Sequence, residues 1–309
     1  MGKVAFLFSG QGAQYSGMGK ELYCASTGAK AVFDLADSIR PGTSEQCFSA
    51  SKEELSLTIN TQPCLYCVDL AAAEALRCAG ILPDAVAGFS LGEIAALTFA
   101  GVLSAQDGFA LVCKRAEFMG KATEETGGGM AAVLKLTAQQ VDELCAGFEK
   151  VYPVNYNCPG QVSVAGDKEQ LEAFCKKAAE AGARVVPLAV SGAFHSPFMD
   201  NASTQMREYL KDASVSAPQI PIYSNFSAEY YGKDSEEIKN NIAVQINHPV
   251  RWQTILEKLA ADGFDTFVEV GAGKTLCGLV KKTVKGAKIV NVEDAATLEA
   301  ALGVLKQEE

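Results

Sequence analysis

The stretch that most constrains this chain is residues 86–93, which read VAGFSLGE. It lies between a short apolar run, residues 85–87, and an Ala- and Leu-rich segment, residues 94–100, that is followed by a glycine. A strand, then G-x-S-x-G, then a helix is the setting in which this motif forms a nucleophile elbow. We therefore predict that Ser90 projects from a sharp turn beside a helix N-terminus, where free amides favour an anion. The alternative interpretation is a glycine-rich turn that carries an ordinary serine.

Strands alternate with helices on both sides of this turn, which predicts an α/β fold with a mostly parallel, doubly wound (α/β-hydrolase-like) sheet. Ligands bind such sheets at the carboxyl ends of the strands. A long helix is expected to open at residues 61–63 and to run to residue 78, and another to cover residues 105–121. Further strands are expected over residues 221–225, 265–270 and 288–292.

A run of three glycines, residues 127–129, marks a change of pattern. From there to residue 190 the expected order is β-α-β-β-α-β, with a last strand over residues 184–190, and this order is the ferredoxin-like signature. We therefore predict a large α/β domain made of residues 1–126 and 191–309. A small ferredoxin-like subdomain, residues 127–190, is inserted into it.

Composition excludes several classes of protein. The 309 residues carry a formal net charge of -10, which argues against nucleic acid or an anionic membrane as a partner. No apolar run approaches the ~20 residues of a membrane span, and the first residues lack the features of a signal peptide. The ten cysteines show no disulfide or metal framework, and the Cys64-x-x-Cys67 pair has no second pair. We expect free thiols, no bound metal and a cytoplasmic location.

A serine nucleophile needs a base, and the chain offers two histidines, His195 and His248. His195 lies in a Gly-Ala-Phe-His-Ser-Pro junction between the two domains and is the favoured base; a structural histidine is the alternative. Arg115 falls on the apolar face of the helix predicted over residues 105–121. It is interpreted either as a structural cation, in an internal salt bridge or with a snorkelling side chain, or as a fork for a substrate carboxylate.

These motifs together resemble the malonyl-CoA:acyl carrier protein transacylases of fatty acid and polyketide synthesis. The resemblance extends over essentially the whole chain and depends most on these segments: GQGAQ at residues 10–14, GFSLGE at 88–93, Lys114-Arg115, GAFHS at 192–196 and NHPVRW at 247–252. Two positions depart from the family pattern. Phe89 stands where the family usually has histidine, and no glycine follows Arg115.

The resemblance implies a role for each matched residue. Ser90 would carry the acyl group, His195 would be the base, and Arg115 would grip the malonyl carboxylate. The remaining implied positions are the oxyanion-hole amides of Gln11 and Leu91, the His195-orienting main-chain carbonyl of Gln245, the pocket residues Gln62 and Met119, and the malonyl-selecting Phe194.

The implied reaction is ping-pong transfer of malonyl from malonyl-CoA to the phosphopantetheine thiol of acyl carrier protein. It needs no cofactor, and we expect a monomer. Three alternatives stay open: a serine hydrolase of esters or thioesters, a degenerate docking module, and an acyltransferase that serves a polyketide synthase.

An acidic carrier protein needs a basic surface on this acidic chain. Between Glu269 and Glu293 there are five lysines and no acidic residue. A docking surface made of Lys274, Lys281, Lys282 and Lys285 is one interpretation, and a solvated helix face is the other.

Overall fold

Two sheets organise the residues that the computed structural model describes, 2–190 and 192–306. The strands are β1 Lys3–Phe8, β2 Ala85–Gly88, β3 Gly129–Leu134, β4 Val151–Cys158, β5 Gln161–Gly166, β6 Arg184–Pro187, β7 Ile222–Tyr223, β8 Phe264–Val270 and β9 Lys288–Val292. The helices are α1 Lys20–Ala25, α2 Thr27–Ile39, α3 Thr43–Ser49, α4 Lys52–Leu55, α5 Thr58–Cys78, α6 Gly92–Phe99, α7 Ala105–Thr126, α8 Ala138–Cys145, α9 Lys168–Glu180, α10 Asp200–Leu210, α11 Ser235–Val244, α12 Trp252–Ala261, α13 Thr275–Thr283 and α14 Ala295–Leu305. Short 3₁₀ turns cover Pro197–Met199 and Gln245–Asn247.

The central sheet is parallel throughout, in the order β7-β2-β1-β8-β9. Alternate residues of β1 enter two separate cores, because side chains of a strand point to opposite faces. Phe6 and Phe8 pack into the core that contains α5 and α6, whereas Ala5 and Leu7 pack with residues of α12 and α13. Helices therefore cover both faces, and the predicted doubly wound α/β fold is confirmed.

The second sheet is antiparallel, in the order β4-β5-β3-β6. Its elements follow the chain as β3-α8-β4-β5-α9-β6, the predicted ferredoxin-like order. A core of its own lies between this sheet and its two helices, formed around Val133, Val141, Val164 and Phe174.

Main-chain bonds join the second sheet to the rest of the chain. Tyr156 N–H donates to Val250 O at 2.9 Å, and Val250 N–H donates to Val154 O at 2.9 Å. This short bridge aligns β4 with the segment that leads into α12. The second sheet is thereby fixed beside the carboxyl ends of the central strands.

Several element boundaries differ from the sequence-based expectation. Helix α5 starts three residues earlier, at Thr58, and contains Pro63; the Thr61 hydroxyl donates to Leu57 O at 3.0 Å within this added turn. Helix α7 continues to Thr126, because the helical pattern has no stop signal before the three glycines. The strands expected over residues 184–190 and 221–225 are shorter, as β6 and β7.

Candidate active site

The turn between β2 and α6 carries Ser90, whose φ of 55° lies in the left-handed region. A Cβ on Gly88 would lie 2.1 Å from the Gly92 carbonyl carbon, and a Cβ on Gly92 would lie 2.3 Å from Ser9 O. Only glycine fits at both positions without a shift of the backbone. Asn225 holds the turn from the side: it accepts from Ser90 N–H at 2.7 Å and donates to Gly88 O at 2.7 Å. This is the geometry of a nucleophile elbow.

His195 lies against the serine, with Nε2 2.7 Å from Ser90 Oγ. Its other ring nitrogen, Nδ1, lies 2.9 Å from the main-chain oxygen of Gln245. A carbonyl only accepts, so Nδ1 carries the proton and Nε2 is left as the acceptor for the serine hydroxyl. Burial and the positive charge of Arg115 lower the pKa of His195 to about 4. The imidazole is therefore neutral at physiological pH and can act as a base.

Arg115 projects from α7 to the same serine and is only 1% exposed. Nη1 donates to Gln62 Oε1 at 2.6 Å, and Nη2 donates to Gln245 Oε1 at 2.8 Å and to Ser90 Oγ at 3.1 Å. Nε has no partner among the described residues. Burial lowers the pKa of Arg115 to about 10, and Glu93 partly offsets this. The guanidinium stays charged and forms no ion pair within the described chain, which rules against the internal salt bridge.

Gln245 contacts every charged or reactive group of the site. Its main-chain oxygen faces His195, and its side-chain oxygen accepts from Arg115. Its amide nitrogen donates to Ser90 O at 2.7 Å and to Glu93 Oε2 at 3.1 Å. The resemblance implied only the main-chain contact. The side-chain contacts were missed, because a glutamine after a helix carries no local signal of its partners.

Two more residues of this network were missed from the sequence. Asn225 was expected to end a strand; instead the chain leaves the sheet after Tyr223, and the Asn225 side chain turns to the elbow. Glu93 was noted only as the end of the motif. Its carboxyl is 1% exposed, it accepts a hydrogen bond from the Tyr231 hydroxyl, and burial raises its pKa to about 7.

A cleft of about 240 Å³ opens onto Ser90 between the two sheets. Met119 and Phe194 form part of its wall, whereas Gln62 lies behind Arg115, fully buried. The main-chain N–H groups of Gln11 and Leu91 form no hydrogen bond within the described residues, so both are free for a ligand oxygen. The second sheet and its flank contribute the opposite wall, with Met130, Ala132, Asn155, Asn157, Gln161, Ser163, Leu188 and Val190.

The positions that raised doubt in the sequence have structural explanations. The Phe89 ring packs edge-on against Trp252, with centroids 5.3 Å apart, and its other side lines the cleft. His248, the second candidate base, has Nδ1 2.9 Å from Val244 O and packs edge-on against Phe226. His248 is therefore a structural histidine.

The candidate docking lysines lie on and beside α13, the helix whose residues Thr275, Leu276 and Leu279 line the cleft. Lys274, Lys281, Lys282 and Lys285 are exposed and form no ion pair with any described residue. Lys282 Nζ donates to the Gln161 side chain at 3.1 Å, and that glutamine lines the cleft. Lys282 is therefore one contact away from the cleft wall.

Other ligand classes find little support in the residues described. Within residues 2–190 and 192–306, no group of three or more His, Cys, Asp or Glu side chains could hold a metal ion. The same part of the chain contains no helix that is both long and apolar enough to span a bilayer. The ten cysteines, Cys64 and Cys67 included, are free thiols.

A neutral imidazole on a serine, free amides beside it and a buried cation opposite define a serine acyl-transfer site on a doubly wound sheet. Comparison with known proteins agrees. The acyl transferase domain family matches residues 5–308. The malonyl CoA-acyl carrier protein transacylase of Bacillus subtilis is 41% identical over 314 residues, covering 100% of this chain and 99% of the relative. That of Staphylococcus aureus strain MRSA252 is 36% identical over 310 residues, covering 98% of each chain.

Solved structures show the same relationship. The crystal structure of malonyl CoA-acyl carrier protein transacylase from Clostridium perfringens gives a TM-score of 0.95 at 36% identity, covering 99% of this chain and 98% of that one. A complex of a type II PKS acyl-carrier protein with its malonyl-transacylase gives 0.94 at 32% identity, covering 98% and 99%. The chain belongs to the acyl transferase family, and within it to the malonyl CoA-acyl carrier protein transacylases.

Proposed function

We propose that this acyltransferase moves a malonyl group from malonyl-CoA to the phosphopantetheine thiol of an acyl carrier protein, through a malonyl ester on Ser90, and so supplies fatty acid synthesis. One observation carries the proposal: Ser90 Oγ lies 2.7 Å from a neutral imidazole and 3.1 Å from a buried guanidinium. The first contact provides a base for the hydroxyl. The second provides a cation for a carboxylate in the acyl group.

In the first half-reaction, His195 Nε2 accepts the hydroxyl proton as Ser90 Oγ attacks the thioester carbonyl. Gln245 O keeps Nδ1 oriented and stabilises the imidazolium that forms. The oxyanion accepts hydrogen bonds from the free main-chain amides of Gln11 and Leu91. Each donor of this kind stabilises the transition state by about 3 to 4 kcal/mol. The carbon–sulfur bond then breaks, and the CoA thiolate takes the proton from Nε2.

In the second half-reaction, the carrier thiol replaces CoA in the cleft. His195 accepts the thiol proton as the sulfur attacks the malonyl ester on Ser90. The carbon–oxygen bond breaks, and the proton passes from Nε2 to Oγ. The enzyme is regenerated, with no net change in protonation, and the same amides serve both tetrahedral intermediates.

Arg115 supports transfer of a carboxylated acyl group over plain ester hydrolysis. A buried cation costs free energy unless it is paired, and an incoming malonyl carboxylate supplies the pair. Phe194 and Met119, which are 6% and 2% exposed, bound the cleft beside it and restrict branching of the acyl group. A general esterase would gain nothing from this arrangement.

The proposal is tested by intact-mass spectrometry after a brief reaction with malonyl-, acetyl- and methylmalonyl-CoA in competition. We expect a malonyl adduct on the wild type, and none on Ser90→Ala. His195→Ala should form the adduct at least about 10²-fold more slowly. No adduct on the wild type would contradict acyl transfer. Rapid release of free malonate without carrier protein would favour a hydrolase.

We propose that the carrier protein docks on the edge formed by Lys274, Lys281, Lys282 and Lys285. Their exposure, their lack of ion pairs among the described residues and the contact of Lys282 with the cleft residue Gln161 support this role for an acidic partner. A polyketide carrier is a second possible acceptor, given the similarity to the type II PKS complex. Parallel transfer assays with the two carriers distinguish them.

We further propose that the enzyme is a cytoplasmic monomer that needs no bound cofactor. Every group used in the two half-reactions belongs to this chain, to malonyl-CoA or to the carrier. We expect the protein to elute from size-exclusion chromatography at the volume of a monomer. We also expect it to keep full activity after treatment with a chelator. A loss of activity that added metal restores would contradict the second part.

A further inference from the structure

Glu93 is a buried carboxyl that the two half-reactions do not use. It is the second residue of α6, three residues after Ser90, and is 1% exposed. Oε2 accepts from Gln245 Nε2 at 3.1 Å and from Asn225 N–H at 3.1 Å. The Tyr231 hydroxyl donates to Oε1. The carboxyl is thus held by three donors with no direct path to the cleft.

A single amide separates this carboxyl from Arg115. Gln245 donates to Glu93 through Nε2 and accepts from Arg115 Nη2 through Oε1 at 2.8 Å. The guanidinium lowers the pKa of Glu93, and the carboxylate raises the pKa of Arg115, each against the larger effect of burial. The two charges therefore interact without contact, through a polarised amide.

Building on the proposed function, we propose that Glu93 is a specificity-determining residue that limits how tightly Arg115 holds the substrate carboxylate. An acyl carboxylate that enters the cleft meets a cation already partly balanced by Glu93, and it is repelled by the second negative charge. An acyl group without a carboxylate does not experience either effect.

A moderate affinity of Arg115 for the malonyl carboxylate favours release of the malonyl group to the carrier. The carboxylate contact is present in the bound substrate and in the malonyl ester alike, and such uniform binding lowers KM without raising kcat. Glu93 offsets part of this binding, so the malonyl group is selected by Arg115 and still leaves with the carrier. Glu93 is thus a positioning and tuning group, and it never touches the substrate.

The test uses equilibrium binding to Ser90→Ala enzyme, in which no acyl transfer occurs. Isothermal titration calorimetry, run about one pH unit above the pKa of Glu93, compares malonyl-CoA with acetyl-CoA. Adding Glu93→Gln is expected to tighten malonyl-CoA binding by about tenfold, and to change acetyl-CoA binding by less than about twofold. The direction of the change in malonyl-CoA affinity is decisive, because structural damage around Gln245 would weaken malonyl-CoA binding.

Asp69→Asn is the matched control in the same background. It replaces another fully buried carboxyl, which bonds to Ser9 and has no bond to Gln245 or Arg115, and should leave the malonyl-to-acetyl binding ratio unchanged. If Glu93→Gln does not fold, Tyr231→Phe serves: loss of the hydroxyl donor makes Glu93 harder to ionise, so malonyl-CoA binding should again tighten.

Unchanged or weaker malonyl-CoA binding in Glu93→Gln, or equal tightening for both ligands, would overturn the inference. Failure of the proposed function is a separate result. It would appear as the absence of a malonyl adduct on wild-type Ser90, whereas failure of this inference leaves that adduct intact.

Discussion

Replacing Arg115 by alanine should convert a malonyl-selective enzyme into one that accepts acetyl groups relatively well. A guanidinium has five N–H donors, and the structure uses three of them, on Gln62, Gln245 and Ser90. Nε–H and one further donor remain for the substrate carboxylate. We expect the malonyl carboxylate to gain about two charge-assisted hydrogen bonds from this guanidinium.

Each such bond contributes about 1.5 to 3 kcal/mol, so Arg115→Ala should cost malonyl transfer about 3 to 6 kcal/mol. This corresponds to a loss of about 10²- to 10⁴-fold in kcat/KM for malonyl-CoA. Acetyl-CoA has no carboxylate, and its kcat/KM should fall only through the lost contact between Nη2 and Ser90. The malonyl-to-acetyl ratio is thus expected to drop at least about 10²-fold.

The assay is single-turnover acylation of Ser90, followed by mass spectrometry with each CoA ester separately and in competition. Arg115→Lys is the matched control, because it keeps a positive charge but loses the planar fork, and its ratio should fall between the other two. If Arg115→Ala keeps the malonyl preference of the wild type, the carboxylate contact lies elsewhere and the assignment of Arg115 is wrong.

The remaining predictions concern pH, docking and the elbow. Since the working base is neutral His195 with a pKa of about 4, the acylation rate at saturating malonyl-CoA should stay constant as pH falls through the ordinary histidine value of 6.5; a midpoint near 6.5 in a single-turnover pH profile at saturation would contradict this. Combined Lys281→Glu and Lys282→Glu should raise KM for carrier protein about tenfold and leave acylation by malonyl-CoA intact, whereas identical turnover at every carrier concentration would refute docking there. Gly92→Ala should lower the free energy of unfolding by more than about 2 kcal/mol, because its Cβ would lie 2.3 Å from Ser9 O, and thermal denaturation that matches the wild type would refute the close approach.

Much of the fold was accessible from the sequence, because its signals are local. The apolar run of β2 and the glycines at positions 88 and 92 lie within a few residues of Ser90, so the elbow is encoded in one short segment. The order of the second sheet follows from the same kind of pattern, three glycines and then alternating apolar runs. The start of α5 is predicted too late because Pro63 is a start signal, although a proline is also tolerated in the first turns of a helix.

The residues that hold the site together could not be predicted from the sequence in the same way. Asn225 lies 135 residues from the serine whose amide it holds, and Gln245 lies 130 residues from Arg115. Neither position belongs to a periodic pattern, and a polar residue in a turn or after a helix is normally predicted to be exposed to solvent. Only the packing of the sheet brings these amides to the elbow, so spacing along the chain says nothing about them.

The two reacting residues share an unfavourable backbone. Ser90 and His195 have φ values of 55° and 59°, in a region where residues other than glycine cost about 1 to 3 kcal/mol each. Such conformations persist only when surrounding contacts determine them, and here Gln245 bonds to both, through its side chain on Ser90 and its main chain on His195. The residue that links Arg115 to Glu93 through its side chain therefore also contacts both members of the pair whose Oγ and Nε2 lie 2.7 Å apart. Charge selection and the position of Ser90 are consequently coupled through the Gln245 side chain, so substitutions at Gln245 should alter acyl preference and acylation rate together.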